Sequence, residues 1–389
     1  MIGMKITLKM KIAFDFVGTN LGSGTKTYII NFCNQLNHYS QKDDIIIFLC
    51  KNYLLELNRD LKNNSKIKYI VKPNFFAVTF IRLIWMQLVL PFELKLRGVK
   101  KIYSPMNICP FFCKYFKIKI ILALHSNLPW VFFDFMPGSF YRNFLTKKLM
   151  ELSIHACEIL IVDSVFAKEE ISNILKINKN KIKVVYLGVD IKFLNQNKSD
   201  NYVSGIDYNT KYILSVLSCT RYHNILNLLK AYKVLIKEIN FKIKFIIVLQ
   251  ILDKKYFTEL SNYIDQNFDK KNIIILNNID SKYLPNLYRN SKLYVFSSYC
   301  EVFGLTSLES MSQGCPVVIS KSSALPEVNN NAADYFNPDD IIDIKNKLKI
   351  NLLDNNKRQN LVKNGKLHYK KFTWEKNVSE TMHIIHNLN

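Results

Sequence analysis

Continuous apolar runs, separated by longer stretches with helical spacing, recur along this sequence. The first five lie at Ile12–Phe16, Ile45–Leu49, Ile118–Leu124, Ile159–Val162 and Val184–Leu187, and a second five lie at Tyr212–Val216, Phe245–Leu249, Ile273–Leu276, Leu293–Phe296 and Pro316–Ile319. Runs that are continuous rather than alternating are typical of parallel strands buried on both faces. Two such series in one chain predict an α/β protein with two doubly wound, Rossmann-like parallel sheets.

Chain length and composition also favour two domains. At 389 residues the chain exceeds what a single hydrophobic core usually serves, and its 49% of hydrophobic residues suffice to fill two cores. The boundary is predicted in the polar stretch 196–208, which contains the only glycine nearby. We expect a first domain at 1–200, a second domain at 208–371 and a C-terminal helix at 372–389.

The segment after the apolar run Leu293–Phe296 carries two glutamates, Glu301 and Glu309. Its residue order predicts a buried strand, a loop and a helix that begins near Leu305 or Thr306. Open α/β sheets bind ligands where a strand end meets a helix N-terminus, because the free N–H groups there attract phosphate. We expect Glu309 in the first turn of the helix and Glu301 on the loop, facing a reacting group. The alternative is a first-turn acid and a solvated loop acid without function.

The residues around this pair form an ordered series of motifs. The series comprises Glu301, Phe303, Gly304, Glu309, Gly314, Pro316, Val317 and Val318, then Ala324–Val328, Ala332–Ala333, Tyr335–Phe336 and Asn337–Pro338, and earlier Ser164–Glu169 and Val184–Asp190. It resembles the signature of the retaining glycosyltransferases of family 4, also called glycosyltransferase group 1, from about residue 11 to residue 375. The resemblance implies a GT-B fold, in which two Rossmann-like domains face a cleft.

The resemblance also implies an activity. The expected reaction moves a hexose from a nucleotide-sugar donor, with retention of configuration, to a glycan or lipid-linked saccharide in cell-surface polysaccharide or lipopolysaccharide synthesis. The nucleotide-sugar is a substrate, and we expect neither a cofactor nor a metal ion. A GT-B epimerase or phosphorylase fits the E-x-F-G and A-L-P-E-V motifs less well.

The resemblance assigns roles to particular residues. Donor binding is assigned to Glu309 at the ribose, to the amides of Gly304, Leu305 and Thr306 at the diphosphate, and to Phe303 and His223. Catalysis is assigned to Glu301 at the sugar hydroxyls, to His125 beside the reacting carbon, and to Arg221. His125 ends the third apolar run, at the sheet edge where ligands bind. A lone histidine in that place is more often structural, and it is the resemblance that favours function.

A glycine cluster follows the first apolar run. Gly18, Gly22 and Gly24 stand within seven residues of a glycine-poor chain, so the backbone there needs close approach or a positive φ. Gly22, Ser23 and Gly24 resemble the first-domain loop of the family, which lies across the cleft from the donor phosphates and near the acceptor. A plain tight turn capped by Thr25 is the alternative.

The chain departs from the family pattern after the first strand of the second domain. Family members usually carry an arginine and a lysine there, spaced R-x4-K, which neutralise the donor diphosphate, the largest electrostatic contribution available. Aligning Asn224 with the family's Lys-Asn pair places His223 at the lysine position and Ser218 at the arginine position, with Arg221 displaced by three residues. Either Arg221 and a protonated His223 share the task, or the protein is a nucleotide-sugar-binding protein with weak or no turnover.

The net charge of +23 bears on binding partners. Residues 1–200 carry a net charge of +15 and the remainder +8, and the aromatic-rich stretch 95–148 has ten basic residues and one acid. By charge alone, such a surface suits an anionic lipid leaflet or a nucleic acid equally well. No helix-turn-helix, zinc or RNP-like pattern supports nucleic acid, so we predict an anionic membrane surface instead. The alternatives are buried aromatics beneath a solvated basic face and the lysine bias of an A/T-rich genome.

We expect neither a membrane span nor a signal peptide in this sequence. Lys5, Lys9 and Lys11 are spread through the short apolar stretch at the N-terminus, and Arg82 interrupts the most apolar segment, Phe75–Leu94. That segment predicts a buried or interfacial helix. The eight cysteines are scattered without the spacing of a zinc site, and we interpret them as reduced thiols. We expect a cytoplasmic protein, peripheral on the inner face of the membrane.

Overall fold

The computed structural model describes residues 10–18, 23–39, 43–57, 64, 66–194, 202–269 and 271–388, with the side chains of residues 23 and 56 left aside. The strands of this part of the chain form two sheets. The first sheet contains β1 (Lys11–Phe16), β2 (Asp44–Cys50), β3 (Ile67–Lys72), β4 (Lys101–Ser104), β5 (Lys119–Leu124), β6 (Ile159–Val162) and β7 (Ile182–Val184). The second contains β8 (Tyr212–Cys219), β9 (Lys244–Ile251), β10 (Ile273–Asn277), β11 (Leu293–Phe296), β12 (Val317–Ser320) and β13 (Ala333–Phe336).

Both sheets are wound in two directions from a central strand. The strand order is β3-β2-β1-β4-β5-β6-β7 in the first sheet and β10-β9-β8-β11-β12-β13 in the second, and neighbouring strands pair in parallel. The winding reverses between β1 and β4 and between β8 and β11. Such switch points are where open α/β sheets bind ligands at their carboxyl edge. The predicted α/β class with two doubly wound sheets is confirmed.

Helices connect the strands of both sheets. In the first domain they are α1 (Ser23–Leu36), α2 (Lys51–Glu56), α3 (Thr79–Ile84), a π-helical turn (Trp85–Val89), α4 (Leu90–Leu96), α5 (Leu128–Val131), α6 (Phe140–Ala156), α7 (Val165–Leu175) and α8 (Ile191–Leu194). The remaining helices are α9 (Ile225–Glu238), α10 (Lys254–Asn267), α11 (Leu284–Asn290), α12 (Leu305–Ser312), α13 (Leu325–Asn329), α14 (Ile341–Leu353), α15 (Asn355–His368) and α16 (Trp374–Asn387). The central strands, such as β11, are buried along their whole length, which explains their continuous apolar sequences.

The observed strands overlap all ten predicted ones, with one displacement. Strand β7 ends at Val184, where a strand was predicted to begin. Strands β3, β4 and β13 have no predicted counterpart. Lysines interrupt β3, and β4 and β13 are four residues long and include charged side chains, so none of them forms a continuous apolar run.

The C-terminal helix α16 packs back on the first domain. The ammonium group of Lys101, in β4, donates a hydrogen bond to the carbonyl oxygen of Ile385 at 2.7 Å. Where the chain crosses between the domains, a Cβ atom at Gly188 would lie 2.3 Å from the amide nitrogen of Trp374. Only glycine allows this close passage of two backbone segments.

No helix in the described ranges is long and apolar enough to cross a bilayer. All eight cysteines are buried free thiols. Among the residues that the structure describes, no group of three or more His, Cys, Asp or Glu side chains could hold a metal ion.

Candidate active site

Three adjoining cavities occupy the cleft between the two domains, and Glu301 lines all of them. Their volumes are about 400, 370 and 500 Å³, and we call them cavities 1, 2 and 3. Cavity 1 lies between His125 and Gly304, cavity 2 between His125 and His223, and cavity 3 between Lys26 and Thr306. They follow the carboxyl edges of both sheets, next to the switch points, and each is large enough for part of a drug-sized ligand.

Glu301 lies on the loop between β11 and α12, as the sequence predicted. Its backbone is fixed on both sides, because its N–H donates to Ser323 Oγ at 2.8 Å and its carbonyl oxygen accepts from the N–H of Ala324 at 3.1 Å. The side chain is 20% exposed and lies 3.4 Å from Nε2 of His223. A rigid loop therefore holds a carboxylate where the three cavities meet.

Helix α12 begins at Leu305, within the predicted range, and its N-terminus faces cavity 3. Gly304 precedes it with φ of +88°, and a Cβ atom there would lie 2.5 Å from Cδ2 of Leu325. Both the left-handed backbone and the close contact require glycine. The N–H groups of Leu305 and Thr306, in the first helical turn, have no acceptor within the helix, so they form an anion-binding N-terminus.

His125 follows β5, and a buried carboxylate orients its ring. Its Nδ1 lies 2.9 Å from each carboxylate oxygen of Asp163, which is 1% exposed. Its backbone N–H donates to Oδ1 of Asn107 at 2.7 Å. The carboxylate makes Nδ1 the protonated nitrogen, and Nε2 is buried without a hydrogen-bond partner in the described structure. The side chain is 21% exposed, and the residue lines cavities 1 and 2.

His223 ends a 3₁₀ turn, Arg221–His223, directly after β8. Its Nδ1 lies 2.6 Å from the hydroxyl of Thr220, and its Nε2 faces Glu301. The ring is 6% exposed and lines cavities 2 and 3. The structure thus brings His223 and Glu301 together, although 78 positions separate them in the sequence.

Arg221 lies elsewhere, and this corrects the expectation that it shares the site. Its guanidinium pairs with the carboxylate of Glu259 at 2.7 Å and stands over the ring of Tyr256. Both charged groups are about 40% exposed, and Arg221 lines none of the three cavities. The 3₁₀ turn points residue 221 to the outer surface while it points residue 223 into the cleft, so we remove Arg221 from the candidate catalytic set.

Glu309 also differs from the expectation. It is the fifth residue of α12 rather than a member of the first turn, and it lines none of the three cavities. The hydroxyl of Tyr288 donates to its carboxylate at 3.3 Å. Burial raises the pKa of the Glu309 carboxyl to about 7, although the charge of Lys192 and the Tyr288 hydroxyl act in the opposite direction. Burial of this carboxylate lowers the stability of the folded protein, so its presence behind the phosphate-facing end of α12 indicates a role other than packing.

The remaining predicted site residues divide into three cases. Phe303 is buried, with its ring 6.0 Å from that of Tyr186 and 5.7 Å from that of Phe372, so its side chain serves the core beneath cavity 1. Gly24 lines cavities 1 and 2, and a Cβ atom there would meet no atom within 4 Å. Ser23 is the first residue of α1, and Gly22 lies outside the described residues.

Comparison with known proteins shows which family the second domain resembles. Residues 196–368, which include α12 and its strand, match the model described as Glycosyl transferases group 1. This part of the chain is similar to the group 1 glycosyltransferases. The suspected resemblance is therefore confirmed at the level of the group.

Two relatives of the chain are named for O-antigen synthesis. O-antigen chain mannosyltransferase B of Escherichia coli is 25% identical over 242 residues, which cover 61% of this chain and 63% of that protein. O-antigen chain mannosyltransferase RfbU of Salmonella typhimurium is 24% identical over 329 residues, which cover 82% of this chain and 84% of that protein. The chain thus spans just under two thirds of the length of the first relative and more of the second.

Solved structures share the complete fold of the chain. Anabaena Alr3699/HepE, in complex with UDP and glucose, superposes with a TM-score of 0.72 at 16% identity, covering 97% of this chain and 100% of that chain. At this identity the likeness concerns the fold alone. The architecture is GT-B, as the motifs indicated.

Sequence reasoning missed two residues that link the domains. Glu327, on α13 of the group 1 domain, accepts hydrogen bonds from the N–H groups of Val165 and Phe166, each at 2.7 Å, and from the hydroxyl of Tyr186 at 2.8 Å. It therefore caps α7 of the other domain. Lys26, on α1, lines cavity 3. The A-L-P-E-V motif contains Glu327 but gave no sign of its partners, because they lie about 160 positions away.

Proposed function

We propose that the protein transfers a hexose from a nucleotide-sugar donor to a glycan or lipid-linked saccharide, with retention of configuration. The observation that carries this proposal is the meeting of three groups in one cleft: Glu301, His125 and the N-terminus of α12. These groups come from both domains, so a substrate that uses all three must lie between them.

The donor fits the second-domain side of the cleft. Its diphosphate would receive hydrogen bonds from the amides at Leu305 and Thr306, where the helix dipole favours negative charge. The nucleoside would extend into cavity 3, along the carboxyl ends of β8 and β9. Glu301 would accept hydrogen bonds from the sugar hydroxyls and fix the sugar beside His125. The buried Glu309 carboxylate is our candidate for the ribose hydroxyls, once the helix end is occupied.

The chemistry requires stabilisation of charge rather than a cofactor. The bond between the anomeric carbon and the diphosphate oxygen breaks, and a new bond forms to the acceptor hydroxyl oxygen. Negative charge then grows on the leaving diphosphate, next to the amides of α12. The partial positive charge on the sugar would lie near the side chain of His125, whose ring orientation is fixed by Asp163. Retention rests on the resemblance to family 4.

The names of the relatives suggest the sugar and the pathway class. Two of them are O-antigen chain mannosyltransferases, and the Anabaena structure holds UDP and glucose. We propose mannose as the first sugar to test and a growing cell-surface polysaccharide or lipopolysaccharide as the acceptor. The competing candidate, a nucleotide-sugar-binding protein with weak turnover, is favoured by the outward position of Arg221.

A screen of nucleotide-sugars separates these candidates. UDP- and GDP-linked hexoses should be compared for thermal stabilisation of the protein, and the best donor should then be incubated with lipid-linked saccharides. Product formation, with the anomeric configuration read by NMR, is expected. Tight donor binding without release of nucleoside diphosphate, in the presence of a range of acceptors, would favour the binding protein. An inverted anomeric centre would refute retention.

We further propose that the first domain docks on an anionic leaflet of the cytoplasmic membrane face. Along the segment Thr79–Leu96, apolar side chains repeat every four residues on one exposed face: Phe80, Ile84, Leu88, Phe92 and Leu96, with Phe80 72% and Leu96 88% exposed. A second exposed apolar group lies on α6: Phe140, Tyr141, Phe144, Leu145 and Leu152. Lysines border both, including Lys95, Lys147 and Lys148. Apolar residues at the interface and cations near anionic lipid, each worth about 1 kcal/mol, act together.

Flotation with vesicles tests this docking. The protein should float with anionic vesicles, not with neutral ones, and should be released by about 0.5 M salt, at which the Debye length is well below 10 Å. Replacing Phe80, Phe92 and Leu96 by serine should abolish flotation. The matched control replaces Leu252, Ile342 and Leu353, which are exposed apolar residues of the second domain. Binding to neutral vesicles, or equal loss in the control, would refute the assignment.

A further inference from the structure

The cleft contains little positive charge for a site that should hold a diphosphate. Among the described residues that line the three cavities, Lys26 is the sole lysine or arginine. His223 lies beside Glu301, and the hydroxyl of Thr220 occupies its other nitrogen. The second domain, which supplies the helix end for phosphate, therefore contributes no permanent cation to the cavity wall in the described structure.

The basic residues of the second domain that could have served are engaged elsewhere. Arg289 donates to Oδ1 of Asn286 at 3.1 Å and to Oε1 of Gln313 at 2.7 Å, on the side of α12 away from its N-terminus. Lys292 directly precedes β11, so it lies at the amino edge of the sheet, opposite to the cleft. Together with the surface pairing of Arg221, these positions leave the phosphate end of α12 without a cation from its own domain.

Lys26 approaches this place from the first domain. It is the fourth residue of α1, two positions after Gly24, and it lines cavity 3 together with Ser218, Gly304 and Thr306. Asp280 lines the same cavity, and the pKa of its carboxyl is lowered mainly by the N–H and the ammonium group of Lys282, with a smaller contribution from the charge of Lys26. The ammonium group is thus placed between the two domains.

We propose that Lys26 supplies the cation that neutralises the donor diphosphate, in place of the arginine and lysine that the second domain lacks. This inference rests on the proposed function. Because the cation and the helix end belong to different domains, both act on the diphosphate only when the two domains line one cavity, as they do in this structure. The amides of α12 then contact the donor in either state, whereas the contribution of Lys26 to diphosphate affinity and to stabilisation of the leaving group depends on closure.

Such an arrangement couples chemistry to the presence of both domains around the substrate. An open cleft binds the nucleotide-sugar through the second domain alone, and the bond to the diphosphate remains intact. Closure brings Lys26 to the leaving group at the same time as it brings His125 to the sugar. The positive charge that the family pattern places near residues 221 and 223 of the second domain is then supplied by Lys26 of the first domain, and catalysis is retained.

Binding measurements with bare nucleotides test this assignment. UDP, GDP and the corresponding monophosphates should be titrated into the full chain by calorimetry, for the wild type, Lys26→Ala and Lys26→Arg. We expect Lys26→Ala to weaken diphosphate binding about 10- to 100-fold, the usual loss for a charge-assisted hydrogen bond, and to change monophosphate binding by less than about threefold. Turnover should fall at least as much, and Lys26→Arg should retain most of both.

The matched control is Lys282→Ala, which removes one positive charge beside the same Asp280 without altering the cavity lining. It should leave both affinities unchanged. Diphosphate binding by Lys26→Ala at wild-type strength would overturn the assignment, as would equal losses for diphosphates and monophosphates, which would indicate a structural role. Failure of the wild type to bind any nucleotide would instead overturn the proposed function, and this assignment with it.

Discussion

Replacing Glu309 by glutamine should make the unliganded protein more stable. Burial raises the pKa of the Glu309 carboxyl from its ordinary value of 4.5 to about 7 in the folded state. A folded-state pKa above the unfolded one means that the folded protein binds the proton more tightly. The cost of the carboxylate is therefore absent below pH 4.5, grows as the pH rises from 4.5 to 7, and is constant above pH 7.

The magnitude follows from the same pKa values. A difference between 4.5 and about 7, at roughly 1.4 kcal/mol per pH unit, amounts to about 3 kcal/mol. Glutamine has a similar volume, carries no charge at any pH and can still accept the hydrogen bond from Tyr288. We therefore expect Glu309→Gln to raise the free energy of unfolding by about 3 kcal/mol at pH 8 and by almost nothing at pH 4.5.

Urea denaturation followed by tryptophan fluorescence, at several pH values between 4.5 and 8, measures this difference. Glu259→Gln provides the control, because Glu259 is an exposed acid of the same domain whose replacement should not produce a growing difference over this range. A stability difference that is equal at both ends of the range would refute the argument. So would a Glu309→Gln protein that is less stable than the wild type at pH 8.

The same variant also tests the ribose-binding role. If the carboxylate binds the ribose hydroxyls, Glu309→Gln should weaken nucleoside diphosphate binding by roughly 1–3 kcal/mol while it stabilises the free protein. Opposite effects on stability and on affinity would explain why a costly buried acid is present. Unchanged affinity in calorimetry would remove Glu309 from the donor site and leave it as a residue of the helix interior.

Three further substitutions address the remaining parts of the site. Asp163→Asn should lower turnover about 10- to 100-fold, because it disturbs the orientation and tautomer of His125, and it should change diphosphate affinity little. Equal losses of turnover and affinity, or wild-type turnover, would show that the His125–Asp163 pair is merely structural. Gly304→Ala should lower the free energy of unfolding by about 1–3 kcal/mol in thermal or urea denaturation, because residue 304 has a positive φ and its Cβ atom would contact Leu325. Gly24→Ala is the control and should not lower it, and equal effects of the two substitutions would contradict this explanation. Glu301→Ala should reduce transfer while sparing the binding of bare nucleoside diphosphate, and an equal loss of binding would mean that Glu301 supports the fold.

Local patterns in the sequence predicted the features that depend on neighbouring residues. The continuous apolar runs located ten strands because central parallel strands are buried on both faces, and Gly304 with Leu305 located the start of α12. Strand β3 was not predicted, because its lysines interrupt the apolar run. These side chains can reach solvent, since β3 lies at the edge of the sheet. Patterning cannot detect a strand whose burial is incomplete.

The side-chain partners could not be predicted, since they depend on contacts between distant segments. Nothing in the sequence near His125 shows that Asp163 orients it, because the pairing follows from β5 and β6 lying side by side. Arg221 and His223 differ by two positions, yet one 3₁₀ turn sends the first outward and the second into the cleft. Their roles depend on the direction of a turn that their spacing alone does not determine.

The cap formed by Glu327 has a consequence for the selection of ligands. Two helix N-termini, those of α7 and α12, lie near the contact between the domains, and each could attract a phosphate. At α7, the carboxylate of Glu327 already accepts both N–H groups. The Glu327 carboxylate therefore occupies the N-terminus of α7, where a phosphate could otherwise bind. Of these two described helix ends, the one at α12 is therefore left to a diphosphate that enters the cleft, and this preference precedes any contact with the sugar.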